Sequence, residues 1–212
     1  MTDFEAMANK VISGDVDVVA ELTKKAVDEG EKPLDIINKG LMKGMNVVGE
    51  RFKAGDMFIP EVLMSAKAMG AGMEIVKPLF VGGEVPSQGK VVLGTVKGDL
   101  HDIGRRLVGM IMESGGMVVE DLGIDVSPEK FVEAVKEKKP DIVGMSALLT
   151  TTMLAMKDTI EILEEEGLRD SVKVIIGGAP VTSDFAEEIG ADGWAPDAIT
   201  AKELAMQLIG GK

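Results

Sequence analysis

The 212-residue chain has no cysteine, no tyrosine, one histidine and one tryptophan, and aromatic residues make up only 3% of it. Without cysteine the protein cannot form a disulfide, a thiolate metal site or an iron–sulfur cluster, and it has no cysteine nucleophile. A zinc site is disfavoured as well, because zinc takes three or four protein ligands and only one histidine is present. The first ten residues include acidic side chains and no apolar core, so we predict no signal peptide, no membrane span and a cytoplasmic protein.

The charge balance bears on the partners of the protein. Acidic residues outnumber basic residues by 36 to 23, which gives a formal net charge of −13. A surface this negative repels the phosphate backbone, so we do not expect nucleic acid to be a partner. The chain is 45% hydrophobic and 28% charged, which is typical of a globular protein. Its length is sufficient for one large or two small domains.

Residues 1–82 are predicted to form a bundle of four helices. The first two cover about 3–13 and 15–29, and a glycine is placed to end each of them. Pro33 suits the first turn of the third helix, and the fourth begins near Pro60. Apolar residues recur every three or four positions in these two helices, which indicates one buried face on each: Leu34, Ile37, Leu41, Met45, Val48 and Phe52, then Val62, Ala66, Met69, Met73, Val76 and Phe80.

The composition then changes. Residues 83–90 belong to a stretch rich in glycine, proline and serine, which we interpret as a linker. From 91 to 212, short apolar runs alternate with helical patterns, and this alternation predicts a flavodoxin-like (Rossmann-type) α/β domain with five parallel strands. The strands are expected near 90–96, 117–123, 141–148, 173–178 and 192–194.

Ligands of such sheets bind beyond the carboxyl ends of the strands, where neighbouring connections leave toward opposite faces. In the flavodoxin-like order 2-1-3-4-5 this point lies between the first and third strands, which are followed by residues 97–104 and 146–152. We therefore expect five polar side chains to converge there: Asp99, His101, Ser146, Thr150 and Thr152. The fourth strand ends beside them in two glycines, whose backbone a ligand can approach closely.

His101 lies in the loop after the first strand and has two interpretations. It can be a surface or helix-capping residue, with Asp99 or Asp102 as the cap. It can instead be a metal ligand, with Asp99 accepting a hydrogen bond from the second ring nitrogen. A single imidazole suffices only when the metal brings its other ligands, as in haem or a corrinoid. The position at a strand end favours the corrinoid, because single-histidine haem usually sits in a helical, aromatic-rich pocket.

Three motifs in this region resemble the cobalamin-binding domain family. They are D-x-H-x-x-G at Asp99–Gly104, S-x-L at Ser146–Leu148, and the double glycine Gly177–Gly178. The segment 48–69 is similar to the helical cap that precedes this domain in methionine synthase and in corrinoid proteins of methylotrophic and methanogenic methyltransferase systems. The resemblance to those free-standing proteins spans essentially the whole chain.

The resemblance implies a role for each matching residue. His101 would be the lower ligand of cobalt, in the base-off, His-on form. Asp99 would hydrogen-bond to it, and Thr152 would continue that chain where methionine synthase has serine. The other implied cofactor contacts are Gly98, Asp102, Ile103, Gly104, Ser146, Leu148, Thr150, Gly177 and Gly178. Phe58 would shield the upper face of cobalt, although Phe58, Val62 and Met69 also fit a stripe of bundle core.

The implied function is that of a methyl carrier and not of a complete enzyme. The cofactor would be cobalamin or a related corrinoid, alternating between its cob(I)alamin and methylcob(III)alamin forms. The implied partners are a substrate-specific methyltransferase, an acceptor methyltransferase that uses a thiol or tetrahydrofolate, and a reductive activase. Three alternatives stay open: the small cobalamin-binding subunit of a mutase, a cobalamin-sensing regulator, and a cofactor-free receiver-like domain.

Overall fold

The computed structural model describes residues 2–80 and 87–210. The chain divides into two compact units, Met1–Pro86 and Ser87–Lys212. The predicted linker 83–90 lies partly outside the described residues, which include its last four positions. None of the described helices is both long enough and apolar enough to cross a membrane.

The first unit is entirely helical among its described residues. Aspartates begin the first two helices, where Asp3 accepts a hydrogen bond from the Ala6 N–H (2.9 Å) and Asp15 accepts one from the Val18 N–H (3.4 Å). Four helical segments pack together, as predicted. The first two segments are α1 (Phe4–Ile12) and α2 (Val16–Asp28). The third is continuous and consists of α3 (Pro33–Asp35), a π-helical stretch (Ile36–Met42) and α4 (Lys43–Lys53). The fourth is α5 (Ile59–Val76), which is followed by a 3₁₀ turn (Lys77–Leu79).

The π-helical stretch was not expected from the sequence. Buried positions in this segment recur every four residues, for example Ile37, Leu41 and Met45. The wider turns of the π-helix compensate for the 3.6-residue period of an α-helix and keep these positions on one face. Leu34 precedes the π-helical stretch and is 45% exposed. Its predicted place in the buried stripe was therefore wrong.

The second unit is a five-stranded parallel sheet with the order β2-β1-β3-β4-β5, which confirms the predicted flavodoxin-like order. Ser127 and Thr182 cap the helices that begin at Pro128 and Ser183 through their side-chain oxygens. The strands are β1 (Lys90–Thr95), β2 (Val118–Asp121), β3 (Ile142–Ser146), β4 (Lys173–Gly177) and β5 (Gly193–Ala195). The helices are α6 (Ile103–Ser114), α7 (Pro128–Lys138), α8 (Leu154–Glu165), α9 (Ser183–Glu188) and α10 (Ala198–Gly210), with a 3₁₀ turn at Arg169–Ser171.

Helices cover both faces of this sheet, which is why the inner strands β1, β3 and β4 are nearly continuous apolar runs. On one face, Met112 of α6 and Ala205 of α10 pack against Val91 and Ile142 of the sheet. On the other face, Phe131 of α7 and residues of α8 and α9 pack against neighbouring strand residues. The loops that carry the predicted motifs follow the carboxyl ends of the strands.

A charged network joins the amino-terminal ends of β4 and β5, opposite the carboxyl ends that the motif loops follow. The Asp192 carboxylate accepts hydrogen bonds from Lys173 Nζ (2.9 Å), Arg169 Nη2 (2.7 Å) and the Val174 N–H (2.8 Å). Burial by itself raises the pKa of Asp192, but these hydrogen bonds and the nearby Arg169 charge outweigh it, and the pKa lies below its usual value. The ionised carboxylate therefore stabilises the folded state.

We predict that Asp192→Asn lowers the free energy of unfolding by about 1–3 kcal/mol at neutral pH. Because the pKa of Asp192 is lower in the folded than in the unfolded state, its contribution is present above about pH 4 and is lost as the pH falls further. Urea denaturation at several pH values measures this, with exposed Asp170→Asn as the control. A difference between wild type and Asp192→Asn that grows on acidification would contradict the prediction.

Candidate functional site

The predicted crevice lies where β1 and β3 end side by side. Thr95 of β1 pairs with Ser146 of β3, the last residue of each strand. The loop 96–102 therefore runs next to the loop 147–153. This register explains how residues about fifty positions apart in sequence come into contact.

Asp99 is fully buried and joins the two loops. Its Oδ2 accepts hydrogen bonds from the Leu148 N–H (2.7 Å), the Leu149 N–H (3.2 Å) and the Thr152 hydroxyl (3.0 Å). Its Oδ1 accepts one from the His101 N–H (3.1 Å) and lies 2.7 Å from His101 Nδ1. The structure therefore brings Asp99, His101 and Thr152 together in one network.

The electrostatics of Asp99 determine the tautomer of His101. Burial alone raises the pKa of the carboxyl group, but the hydrogen bonds from Leu148, His101 and Thr152 outweigh it and hold the pKa well below its usual range. The ionised carboxylate can only accept hydrogen bonds, so the proton of a neutral His101 ring lies on Nδ1. The lone pair is then on Nε2.

The His101 ring is not enclosed by the loops. Its side chain is 52% exposed, and no described group of its unit donates a hydrogen bond to Nε2. Several large apolar side chains in the same loops and at the helix starts that follow them are also exposed: Leu100, Ile103, Leu148, Leu149 and Leu154. Exposed apolar groups clustered around a polar centre mark a ligand-binding surface. The interpretation of His101 as a metal ligand therefore has the geometry it requires.

The other predicted polar residues lie near this network without joining it. Ser146 is half-buried at the end of β3, and Thr150 is exposed in the loop that follows. Asp102 occupies the position before α6 but makes no side-chain capping hydrogen bond, and its carboxylate pairs instead with Arg106 at 3.5 Å. Neither this residue nor Asp99 caps the helix, so the capping interpretation of this region was wrong.

The predicted glycines have different surroundings. The Gly98 N–H donates to Asp125 Oδ1 (2.7 Å), and a Cβ on Gly104 would meet no protein atom within 4 Å. A Cβ would lie 2.8 Å from the Ala195 carbonyl oxygen on Gly177 and 1.9 Å from the Ala147 carbonyl oxygen on Gly178. The packing of the protein itself therefore requires the double glycine, whereas it does not explain the glycine at 104.

Phe58 lies in the helical unit, at the residue before α5. Its N–H donates to the Glu61 carboxylate (2.8 Å), and its side chain is 71% exposed. Val62 and Met69 are buried in the bundle core. The core interpretation therefore holds for Val62 and Met69 and was wrong for Phe58, whose contact with a cofactor remains a prediction.

Two buried polar residues near His101 were missed from the sequence. The Thr95 hydroxyl donates to the His101 carbonyl oxygen (2.8 Å), and Arg105 Nε donates to that hydroxyl (3.1 Å). A threonine inside an apolar strand was the available signal, because a fully buried hydroxyl needs a partner. Across residues 2–80 and 87–210, no three His, Asp or Glu side chains are grouped as a metal site.

Comparison with known proteins agrees with this geometry. Two family profiles, both described as a B12 binding domain, match residues 3–77 and 89–202. The chain is 48% identical to a corrinoid protein of Desulfitobacterium hafniense (strain Y51), with 99% of each chain covered. It is 46% identical to the dimethylamine corrinoid protein of Methanosarcina barkeri, covering 97% of this chain and 96% of the relative.

A solved structure gives the same result. A chain in the methanol:cobalamin methyltransferase complex of Methanosarcina barkeri is 35% identical, with a TM-score of 0.88 over 97% of this chain and 79% of that chain. The likeness covers the helical unit as well as the sheet. The three sequence motifs lie at the carboxyl ends of the strands. This chain belongs to the family of cobalamin-binding corrinoid proteins.

Proposed function

We propose that the protein is a corrinoid methyl carrier. It accepts a methyl group on cobalt from a substrate-specific methyltransferase and passes it to a second methyltransferase that uses a thiol or tetrahydrofolate. The observation that carries the proposal is the fixed His101 ring, whose Nδ1 is bonded to Asp99 and whose side chain is half exposed. Relatives named as methylamine corrinoid proteins support this function.

The residues of the crevice fit a corrinoid. One imidazole is sufficient for a metal that brings a macrocycle with it, and the exposed apolar side chains Leu100, Ile103 and Leu154 fit a large hydrocarbon-rich ligand. The open space beside Gly104 leaves the start of α6 free for close approach. When bound, the cobalt of the corrinoid supplies the methyl-transfer chemistry, and the protein tunes and protects it.

The chain's own residues orient the ligand nitrogen. The Asp99 carboxylate holds the Nδ1 proton, which keeps the lone pair on Nε2 and makes the imidazole a stronger ligand. Thr152 and the Leu148 N–H hold Asp99 in turn, so the carboxylate cannot rotate away from His101. We propose metal binding for His101, and positioning roles for Asp99 and Thr152.

The remaining predicted contacts complete the proposed cofactor site. Gly98, Asp102, Ile103 and Gly104 belong to the loop and helix start around His101 and are proposed to lie beneath the macrocycle. Ser146, Leu148, Thr150, Gly177 and Gly178 are proposed to line the slot for the displaced nucleotide tail. Phe58, exposed on the helical unit, is proposed to shield the opposite face of cobalt.

The proposed partners follow from carrier function. A carrier has to meet a donor methyltransferase and an acceptor methyltransferase, and the family resemblance adds a reductive activase. The similar chain in a methanol:cobalamin methyltransferase complex supports the first of these partners. The relatives do not favour a mutase subunit, a regulator or a receiver-like domain, and β3 ends in Ser146 where a receiver needs aspartate.

The lower ligand can be tested because the chain has a single histidine. Protein grown with ¹⁵N-histidine is reconstituted with cobalamin, reduced to Co(II) and studied by electron paramagnetic resonance. We expect the nitrogen splitting to change from three lines to two on labelling, and to disappear in His101→Ala. Three lines in the labelled protein would mean that the cofactor's own base is bound, and a colourless protein would mean that no corrinoid binds; either result would contradict the proposal.

Carrier function is tested with partner proteins. The reduced holo-protein is mixed with a methylamine or methanol methyltransferase and, in separate reactions, with dimethylamine, monomethylamine or methanol. Methylation of the cofactor, followed by visible absorbance, should require both proteins and one of the donors. Turnover by the holo-protein alone would show that it is an enzyme in its own right and would overturn the carrier assignment.

A further inference from the structure

Besides Asp99, a second group holds His101. Thr95 is fully buried at the end of β1, and its hydroxyl donates to the His101 carbonyl oxygen at 2.8 Å. Asp99 Oδ1 contacts the N–H and the ring Nδ1 of the same residue. All polar groups of His101 except Nε2 are therefore held by the protein. The two Asp99 contacts converge on one oxygen atom, so only the Thr95 contact restrains the opposite side of the residue.

Arg105 fixes the direction of the Thr95 hydroxyl. Its Nε donates to Thr95 Oγ1 at 3.1 Å, so the hydroxyl proton is left to point at the His101 carbonyl. The guanidinium is almost fully buried and forms an ion pair with Asp121, the last residue of β2, although its Nη1 makes no aligned hydrogen bond in the described part of the chain. Burying a guanidinium is costly unless it is paired. An unbroken series of polar contacts thus runs from the edge strand to the backbone of His101.

We infer that Thr95, Arg105 and Asp121 are positioning residues that set where His101 Nε2 points and so how strongly it binds cobalt. The inference rests on the proposed role of His101 as the lower ligand. With the Thr95 hydroxyl in place, the peptide after His101 cannot rotate, and the ring has one orientation. Without it, the residue can pivot about Asp99 Oδ1, and the ligated geometry becomes one of several.

The test compares Thr95→Val, which removes the hydroxyl and keeps the shape, with Thr95→Ser, which keeps the hydroxyl. Thr159→Val is the matched control, because Thr159 is also a fully buried threonine and its hydroxyl bonds to the Ala155 carbonyl of its own helix (2.7 Å). We expect Thr95→Val to reduce the ratio of histidine-ligated to unligated Co(II) about fivefold, the worth of one hydrogen bond. Thr95→Ser and Thr159→Val should keep the wild-type ratio.

A second readout needs no cofactor. The single histidine gives one set of imidazole signals in the nuclear magnetic resonance spectrum of the apoprotein. Thr95→Val should increase the mobility of this ring, and Thr159→Val should not. If Thr95→Val does not fold, Asp121→Asn replaces it, because Asp121 is partly exposed and the substitution removes the charge that pairs with Arg105. The amide oxygen of the asparagine can still accept the Gly123 N–H. The expected change is then in the same direction and smaller.

The outcomes separate this inference from the proposed function. Histidine ligation in wild type that weakens in Thr95→Val and returns in Thr95→Ser supports the inference. Histidine ligation that is equal in wild type, Thr95→Val and Thr159→Val, with equal ring mobility, overturns it and leaves the carrier proposal intact. Absence of histidine ligation in wild type contradicts the proposed function itself.

Discussion

Replacing Gly178 with alanine is expected to destabilise the α/β unit by about 3–5 kcal/mol. A Cβ at this position would lie 1.9 Å from the Ala147 carbonyl oxygen, which belongs to the backbone and has no flexible side chain to move away. The φ angle of +121° adds backbone strain for any residue with a Cβ. The loops after β3 and β4 would have to separate, and the proposed slot for the nucleotide tail would lose its shape.

Gly190→Ala is the matched control for this prediction. Gly190 also has a positive φ (+74°), but a Cβ there would meet no atom within 4 Å. It therefore carries the strain without the clash, and we expect a loss of about 1–2 kcal/mol. Urea denaturation followed by far-ultraviolet circular dichroism measures both variants. Equal losses would show that the loops after β3 and β4 do not approach as closely as the structure indicates.

Asp99→Ala is expected to lower the free energy of unfolding by about 2–5 kcal/mol and to increase the mobility of the His101 ring. The variant leaves the Leu148 and Leu149 N–H groups without their acceptor, whereas the Thr152 hydroxyl keeps the Leu149 carbonyl oxygen (2.9 Å) as a partner. Donors left without an acceptor cost more free energy than the hydrogen bonds alone contribute. Besides its proposed role in positioning His101, Asp99 therefore stabilises the crevice by joining its two loops.

Two variants bracket this effect. Asp99→Asn keeps the volume and one oxygen acceptor, so we expect a smaller loss than in Asp99→Ala. Asp102→Ala removes a partly exposed carboxylate whose described partner is Arg106 at 3.5 Å, and a loss below about 1 kcal/mol is expected. Thermal and urea denaturation of the three apoproteins gives the order. A loss in Asp102→Ala as large as in Asp99→Ala would show that charge near α6, and not the buried hydrogen bonds, holds the two loops together.

The fold was predictable because its signals are local and periodic. Alternating strands and helices imply a parallel sheet, and a parallel sheet of this order places residues 97–104 beside 146–152. The pairing of Asp99 with His101 followed from their spacing of two residues within one loop. The sheet order also placed Thr152 in this crevice, but its role as the third member of the hydrogen-bond chain needed the resemblance, because several hydroxyls lie in the same loop.

Other features could not be derived from residue types. Leu148 and Leu149 bind Asp99 through backbone N–H groups, which every residue except proline has. Arg105 lies in a GRR sequence that favours a solvated helix start, yet its side chain is buried against Thr95. The π-helical stretch depends on how a whole helix packs against its neighbours. These contacts depend on tertiary packing, which local patterns do not encode.

Trp194 has a practical consequence. Its indole Nε1–H donates to the Val181 carbonyl oxygen (2.8 Å), and the ring packs half-buried against the core beside α9. Because the chain has no second tryptophan and no tyrosine, its intrinsic fluorescence comes almost entirely from this one indole in the α/β unit. A melting curve recorded by emission would thus report on the α/β unit, and unfolding of the helical unit has to be followed by another signal, such as far-ultraviolet circular dichroism.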